Sequence, residues 1–155
     1  MKRLGIGTAL ALLSVAAPAA AAPTVLGRDF LVDDATAPDR PPVSTTRVPY
    51  QPGRACYAWT IRVRPEQRLV AIREEFVLPA PAREWNSDAD GTFTVAPDRR
   101  SAVSTLAEGL DDGLLTNGWC VADGDPLGAY RIRVYDGETL LGQFDFAVTL
   151  GEDGV

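Results

Sequence analysis

The sequence contains no histidine, a single lysine at position 2, and two cysteines, Cys56 and Cys120. Each scarcity closes a route to chemistry. Without histidine there is no Ser-His-Asp triad and no Cys-His pair. Without a lysine beyond Lys2 there is no Ser-Lys dyad and no Schiff-base amine. Zinc and copper lose their usual imidazole ligands. No G-x-S-x-G elbow, P-loop or dinucleotide fingerprint occurs. No cofactor is expected, and the chain reads as not an enzyme.

Carboxylates are the catalytic groups that remain. Glu74 and Glu75 are neighbours on an expected strand, so they point to opposite faces and cannot share one substrate directly. Asp111, Asp112, Asp123 and Asp125 fall in expected loops. A glycan-cleaving enzyme needs two carboxylates facing each other across a sugar cleft, and the order of residues points to no such pair. Glu74 stands on the apolar parity of its strand, where an unpaired charge would be costly. It is expected at a bulge or a strand end that reaches water or an arginine; the alternative is a buried functional carboxylate.

The first residues carry a compartment signal. Met1-Lys2-Arg3 is a short positive start, Leu4–Val15 an apolar stretch, and Ala16–Ala22 a run of small residues around Pro18. This is the three-part pattern of a secretory signal peptide. The apolar stretch falls short of the roughly 20 residues that a membrane span needs. Cleavage is expected after Ala21, which makes 1–21 the signal peptide and places the protein in the periplasm or outside the cell. No second apolar run of spanning length follows.

Of 15 basic residues, Lys2 and Arg3 would leave with the signal, so 13 face 21 acidic residues and the mature net charge is −8. Nucleic acid and anionic lipid surfaces are poor partners for such a chain. In an oxidising compartment the two cysteines read as a disulfide.

Residues 22–44 are rich in proline and aspartate and read as a leader segment with at most one short strand near Val25–Val32. From Thr45 the hydrophobic period is two. Cys56–Arg64 turns Tyr57, Trp59, Ile61 and Val63 one way. Leu69–Leu78 aligns Val70, Ile72, Phe76 and Leu78, with Glu74 among them. Thr92–Ala96 is a short strand, and Ser101–Ala107 a polar one placed at an edge. Leu115–Ala122 sets Trp119 and Val121 opposite Cys120. Tyr130–Tyr135 points Tyr130, Ile132 and Val134 inward, Asp136-Gly137 marks a hairpin turn, and Thr139–Val148 returns with Leu140, Phe144, Phe146 and Val148 inward. Thr105–Leu115 could hold one turn of helix. About seven strands separated by Pro, Gly and Asp predict an all-β antiparallel sandwich over 45–150, with 151–155 as a flexible C-terminus.

Asp125-Pro126-Leu127-Gly128-Ala129-Tyr130 resembles the tyrosine corner of immunoglobulin-like folds, with one residue more than the usual D-x-G-x-Y. The stretch with Trp119, Gly124, Asp125, Pro126, Gly128 and Tyr130, then Gly137, Phe144, Phe146 and Val148, is similar to the ending of uncharacterised exported bacterial immunoglobulin-like domains. That resemblance implies an immunoglobulin-like β-sandwich and says nothing of activity. It makes Tyr130–Tyr135 and Thr139–Val148 the last two strands and sets Cys56–Arg64 beside Leu115–Ala122 in one sheet. Each cysteine faces away from its strand's tryptophan, so the disulfide is expected on the outer face, linking adjacent strands.

Three further features bear on binding. Asn86–Thr92 resembles the first half of a calcium loop, but Pro97 stands where the closing glutamate belongs, so an Asp/Gly turn is expected and no metal site is assigned. Trp85 is the tryptophan expected to be exposed, as a contact anchor or as packing over a sheet edge. Arg131, Arg133 and Tyr135 form an outward stripe that could meet an acidic or aromatic partner. The function expected is a non-catalytic exported binding or structural module of the bacterial envelope. Its partner would be another envelope or secreted protein, or a glycan. A carboxylate-based glycan-active enzyme is one alternative; an inhibitor of a secreted enzyme, presenting residues 79–100, is the other.

Overall fold

A strand that turns Tyr57, Trp59, Ile61 and Val63 to one side must bury that face against a second layer. The computed structural model, which describes residues 22–66, 69, 71–85, 93–106 and 112–151, shows that arrangement. Among the described residues the strands are β1 (Val25–Asp34), β2 (Val43–Ser44), β3 (Arg47–Pro49), β4 (Ala55–Val63), β5 (Ile72–Val77), β6 (Phe93–Val95), β7 (Ser101–Leu106), β8 (Leu114–Cys120), β9 (Gly128–Asp136) and β10 (Thr139–Thr149). A four-stranded sheet runs β2-β1-β4-β8 and a six-stranded sheet runs β3-β10-β9-β5-β7-β6. Every pairing is antiparallel except that of β3 with β10. The chain changes sheets between Ser44 and Arg47.

The apolar faces meet in one core. Trp59, Ile61, Val63, Ile132, Val134 and Leu141 have no exposed surface. Phe146 is its aromatic centre, with ring centroids 4.5 Å from Phe30, 4.9 Å from Tyr57 and 5.2 Å from Tyr130. Fully burying a side chain of this size is worth roughly 1.5–3 kcal/mol, so the alternation in β4, β9 and β10 accounts for the packing of the two sheets. The tyrosine corner is present: the Tyr130 hydroxyl donates to the Pro126 carbonyl at 2.6 Å. At the hairpin, Gly137 has φ 55°, the positive value its two-residue turn requires.

Four expectations need correction. Residues 22–44 are not a leader: Val25–Asp34 is a ten-residue strand that pairs with β4 along its length and buries Phe30 and Val32. Its inward parity is short, because Arg28 and Asp34 stand on the same parity on either side of Phe30 and Val32. Ser101–Ala107 is not an edge, since β7 lies between β5 and β6; its polar outward residues misled. Leu140 is not inward. A bulge between Leu140 and Gly142 inverts the parity, leaving Leu140 48% exposed and Leu141 at 0%. Glu74 lies at neither a bulge nor a strand end but inside the sandwich. The expected signal peptide, the 86–92 half-loop, Val70, residues 107–111 of the expected Thr105–Leu115 turn and residues 152–155 of the expected C-terminus lie outside the described residues; Thr105 and Leu106 belong to β7, Leu114 and Leu115 to β8. Among the described residues no helix is long and apolar enough to cross a membrane.

Candidate functional site

Inward parity in β5 belongs to Ile72, Glu74 and Phe76, and the ladder on either side of β5 runs without a register shift from Ile72 to Val77. Glu74 is therefore carried into the sandwich, not released at a bulge or strand end, and its residue exposure is 0%. Among the described residues no arginine bonds it. Four neutral donors do: the indole N–H of Trp59, the indole N–H of Trp119 at 3.0 Å, the amide of Asn117 at 3.1 Å and the hydroxyl of Ser104 at 3.4 Å. Register explains the convergence. Trp59 pairs with Asn117 across β4 and β8, Trp119 lies two residues along the same face, and Ser104 pairs with Glu74 across β5 and β7. The donors thus come from both sheets onto one carboxylate. Burial pushes the Glu74 carboxyl above its ordinary value, while the hydrogen bonds from Trp59, Asn117, Trp119 and Ser104 pull it back. The two indoles can only donate and the Asn117 amide nitrogen donates, an arrangement that favours a carboxylate, while the Ser104 hydroxyl can donate to it or accept from its acid form.

Above Glu74 the sandwich is open. β8 ends the four-stranded sheet, while the six-stranded sheet continues through β7 and β6. The gap is a cleft of about 720 Å³. Phe76, Trp85, Phe93 and Trp119 line it, with Ser104 and Asn117 as polar groups between them. Trp85 is held in place: its indole N–H donates to the Arg99 carbonyl at 3.0 Å, and its ring stands edge-on to Phe76 at 5.8 Å. Glu84 and Asp125 also line the cleft. Asp125 accepts from the Ala122 N–H at 2.8 Å, and burial raises its carboxyl against the pull of that bond. What the site can do chemically is bind: it offers aromatic surface, neutral polar groups that include Ser104, Thr105 and Asn117, and acids.

The four sequence candidates do not form one site. Trp85 lines the cleft. Arg131, Arg133 and Tyr135 stand on the outer face of β9. There Arg131 is paired with Asp145 at 2.5 Å, Arg133 donates to Gln143 at 3.1 Å, and the Arg73 guanidinium lies 4.3 Å from the Tyr135 ring centre. Sequence reasoning missed Ser104 and Asn117 and placed Trp119 wholly in the core, where it is half-buried at the cleft. The signal that could have found them was Glu74, a charge on apolar parity that demands donors. Of the segment 79–100, residues 79–85 and 93–100 are described and supply Trp85 and Phe93 to the cleft. Among the described residues no group of three or more potential metal ligands is found.

Cys56 and Cys120 are joined as a disulfide. They stand directly opposite in the β4–β8 register with Cα atoms 3.9 Å apart, on the face away from Tyr57 and Trp119. Such a bond accords with an extracytoplasmic location.

The family model described as PM0630 beta sandwich domain matches residues 29–149. Among solved structures, an immunoglobulin-like protein from Pseudomonas aeruginosa superposes with a TM-score of 0.54 at 17% identity, covering 83% of this chain and 98% of that one. This likeness shows the fold, an immunoglobulin-like all-β sandwich of two sheets. No curated protein matches the chain.

Proposed function

The chain belongs to the PM0630 beta sandwich domain family, and we propose that it serves as a non-catalytic binding module exported to the bacterial envelope or secreted. One observation carries this reading: the cleft between β8 and the overhanging six-stranded sheet. Its volume of about 720 Å³ falls within the roughly 300–1,000 Å³ of ligand sites, and its walls are aromatic with a few fixed polar groups. The buried carboxylate supports binding over catalysis. Glu74 already accepts four hydrogen bonds, which leaves it no free acceptor site for proton transfer. Export rests on the Met1–Ala21 pattern and fits the disulfide.

Two measurements test the reading. The tryptophan fluorescence of the mature domain is followed as small-molecule, glycan and protein fractions of envelope extract are added. A saturable change that Trp85→Ala removes is expected; silence in every fraction would count against a binding role. Mass spectrometry of the exported protein should place its N-terminus at Ala22, and a mature form retaining Lys2 would overturn the compartment. A second reading, a carboxylate-based glycan-active enzyme, draws on Glu84 and Asp125, which line the same cleft. It requires reducing ends to be released from a glycan substrate and that release to disappear in Glu84→Gln.

A further inference from the structure

The aromatic rings of the cleft close a cycle. Centroids are 5.8 Å apart from Phe76 to Trp85, 5.8 Å from Trp85 to Phe93, 5.7 Å from Phe93 to Trp119 and 5.5 Å from Trp119 back to Phe76. All four rings line the cavity. A cation is attracted to such surfaces because the face of an aromatic ring is its negative part, an attraction felt within about 6 Å of the ring centre and strengthened where water is excluded.

The charges have one sign. Among the described residues the charged side chains lining the cleft are Glu84 and Asp125, both acids. Arg83, next to Glu84 in the chain, is paired with Asp123 at 3.7 Å and does not line the cavity. Behind the rings lies Glu74, bonded among the described residues by neutral donors. In its ionised form its charge is screened little at such a depth. It also acts through the cycle itself, since the Trp119 indole N–H donates to it and a donor bonded to an anion passes electron density back into its ring.

We propose that the cleft takes a small quaternary ammonium compound, its alkylated nitrogen seated at the cycle of Phe76, Trp85, Phe93 and Trp119. The proposal rests on the binding-module reading and names its ligand class. The choice of cation follows from the state of Glu74. A carboxylate has about four acceptor sites, and four donors occupy them. It can supply field but no further bond. A primary ammonium or a guanidinium seated at the rings would find no free acceptor in Glu74 and would have to turn its N–H groups to Glu84 or Asp125 elsewhere in the lining, or leave them unbonded at a cost. A quaternary nitrogen brings charge without N–H groups.

Calorimetric titration of the disulfide-intact domain with choline tests this, beside its uncharged isostere in which carbon replaces nitrogen, ethanolamine, and a chito-oligosaccharide. Choline should bind saturably and more tightly than both the isostere and ethanolamine. Trp85→Ala should weaken it by about 2- to 30-fold, the span that cation–π contacts cover, and Phe93→Leu should weaken it as well. Glu74→Gln should weaken choline and leave the isostere unchanged; should that variant fail to fold, Trp85→Ala and the isostere comparison decide. Equal binding of choline and the isostere, or binding of the oligosaccharide alone, would overturn the cation and leave the binding module standing. Silence from choline would overturn the cation too, and the extract titration then judges the module by itself.

Discussion

Trp59 on β4 donates its indole N–H to the carboxylate of Glu74 on β5, so a fully buried tryptophan of one sheet bonds a fully buried acid of the other. Desolvating a carboxylate is among the costlier events in folding, and among the described residues no ion pair offsets it. Four hydrogen bonds offset part of it. Bonds to a charged acceptor are worth about 1.5–3 kcal/mol each, against several kcal/mol of desolvation, and burial still prevails in raising the carboxyl. Because the donors sit on β4, β7 and β8, the carboxylate also fixes how the two sheets lie against each other.

Removing that acceptor should be severe. Glu74→Ala leaves the indole of Trp59 and the hydroxyl of Ser104 buried without a partner, at about 1–3 kcal/mol for each unsatisfied group. Urea unfolding should show a loss of roughly 3 kcal/mol or more. Trp59→Phe keeps most of the ring and deletes one donor, for a loss of about 1.5–3 kcal/mol. If Glu74→Ala unfolds at the wild-type urea concentration, the carboxylate holds nothing together.

The pH dependence of stability carries the mark of the same group. Burial raises the Glu74 carboxyl in the folded protein above its ordinary value of 4.5. The folded state therefore binds this proton more tightly than the unfolded chain does. Its contribution to stability is complete below the ordinary value and is lost as pH rises through the raised one. Asp34 and Asp145 have the opposite sign, because hydrogen bonds from Arg54 and Arg131 hold their carboxyls low; their contribution is present above the ordinary range and lost on acidification. Both lie at the surface, so their share is small. Melting curves of the wild type and Glu74→Gln, taken from about pH 4 to pH 8, should diverge, the wild type losing more stability as pH rises. Parallel curves would show that Glu74 has the same proton affinity folded and unfolded.

Tyr130→Phe isolates the tyrosine corner. The ring stays in contact with Phe146 and Phe76, and one hydrogen bond to the Pro126 carbonyl is lost. The expected loss is about 0.5–1.5 kcal/mol, read by chemical denaturation. A loss well beyond that range would mean that the hydroxyl orders the whole 122–128 connection and not a single bond.

These two residues mark how far the sequence can be read. The corner was legible because its parts are local: an aspartate, a glycine and a tyrosine within six residues, followed by a strand of clean alternation. The β4–β8 pairing was legible for a related reason, since parity fixes which way each cysteine points. Glu74 was only half legible. Its apolar parity was visible, but the donors lie 15 to 45 positions away, and only the register of two strand pairs, with the packing of the two sheets, brings them together. β1 was legible only as a short strand near Val25–Val32, because Arg28 and Asp34 share the parity of Phe30 and Val32; Arg28 donates to the Leu141 carbonyl at 2.5 Å and Asp34 accepts from Arg54. The cleft could not be read at all, because it is made where one sheet stops and the other continues, and strand order is not written in periodicity.

The disulfide should matter at one edge and little elsewhere. Cys56 and Cys120 close a separation of 64 residues, for which chain entropy predicts a stabilisation of roughly 4 kcal/mol. Most of that acts on the unfolded chain, so reduction should lower the melting temperature while the aromatic near-ultraviolet signal of the folded protein persists. Locally the effect should be uneven. Among the described residues β8 has one neighbour in its sheet, β4, and the bond fastens the end of that pair, beside the Tyr57–Trp119 register position. Cys120 is exposed and Cys56 half-buried, so a reductant can reach them. Once the bond is cut, β8 is held by its ladder to β4 and by the bonds of Asn117 and Trp119 to Glu74. Hydrogen exchange should then quicken for the amides of Leu114–Cys120, and the amides of β9, flanked by β10 and β5, should keep their protection. Since Trp119 is a wall of the cleft, reduction should also weaken whatever the cleft binds. If β8 and β9 lose protection together, the bond supports the whole sandwich and the view of it as an edge staple fails.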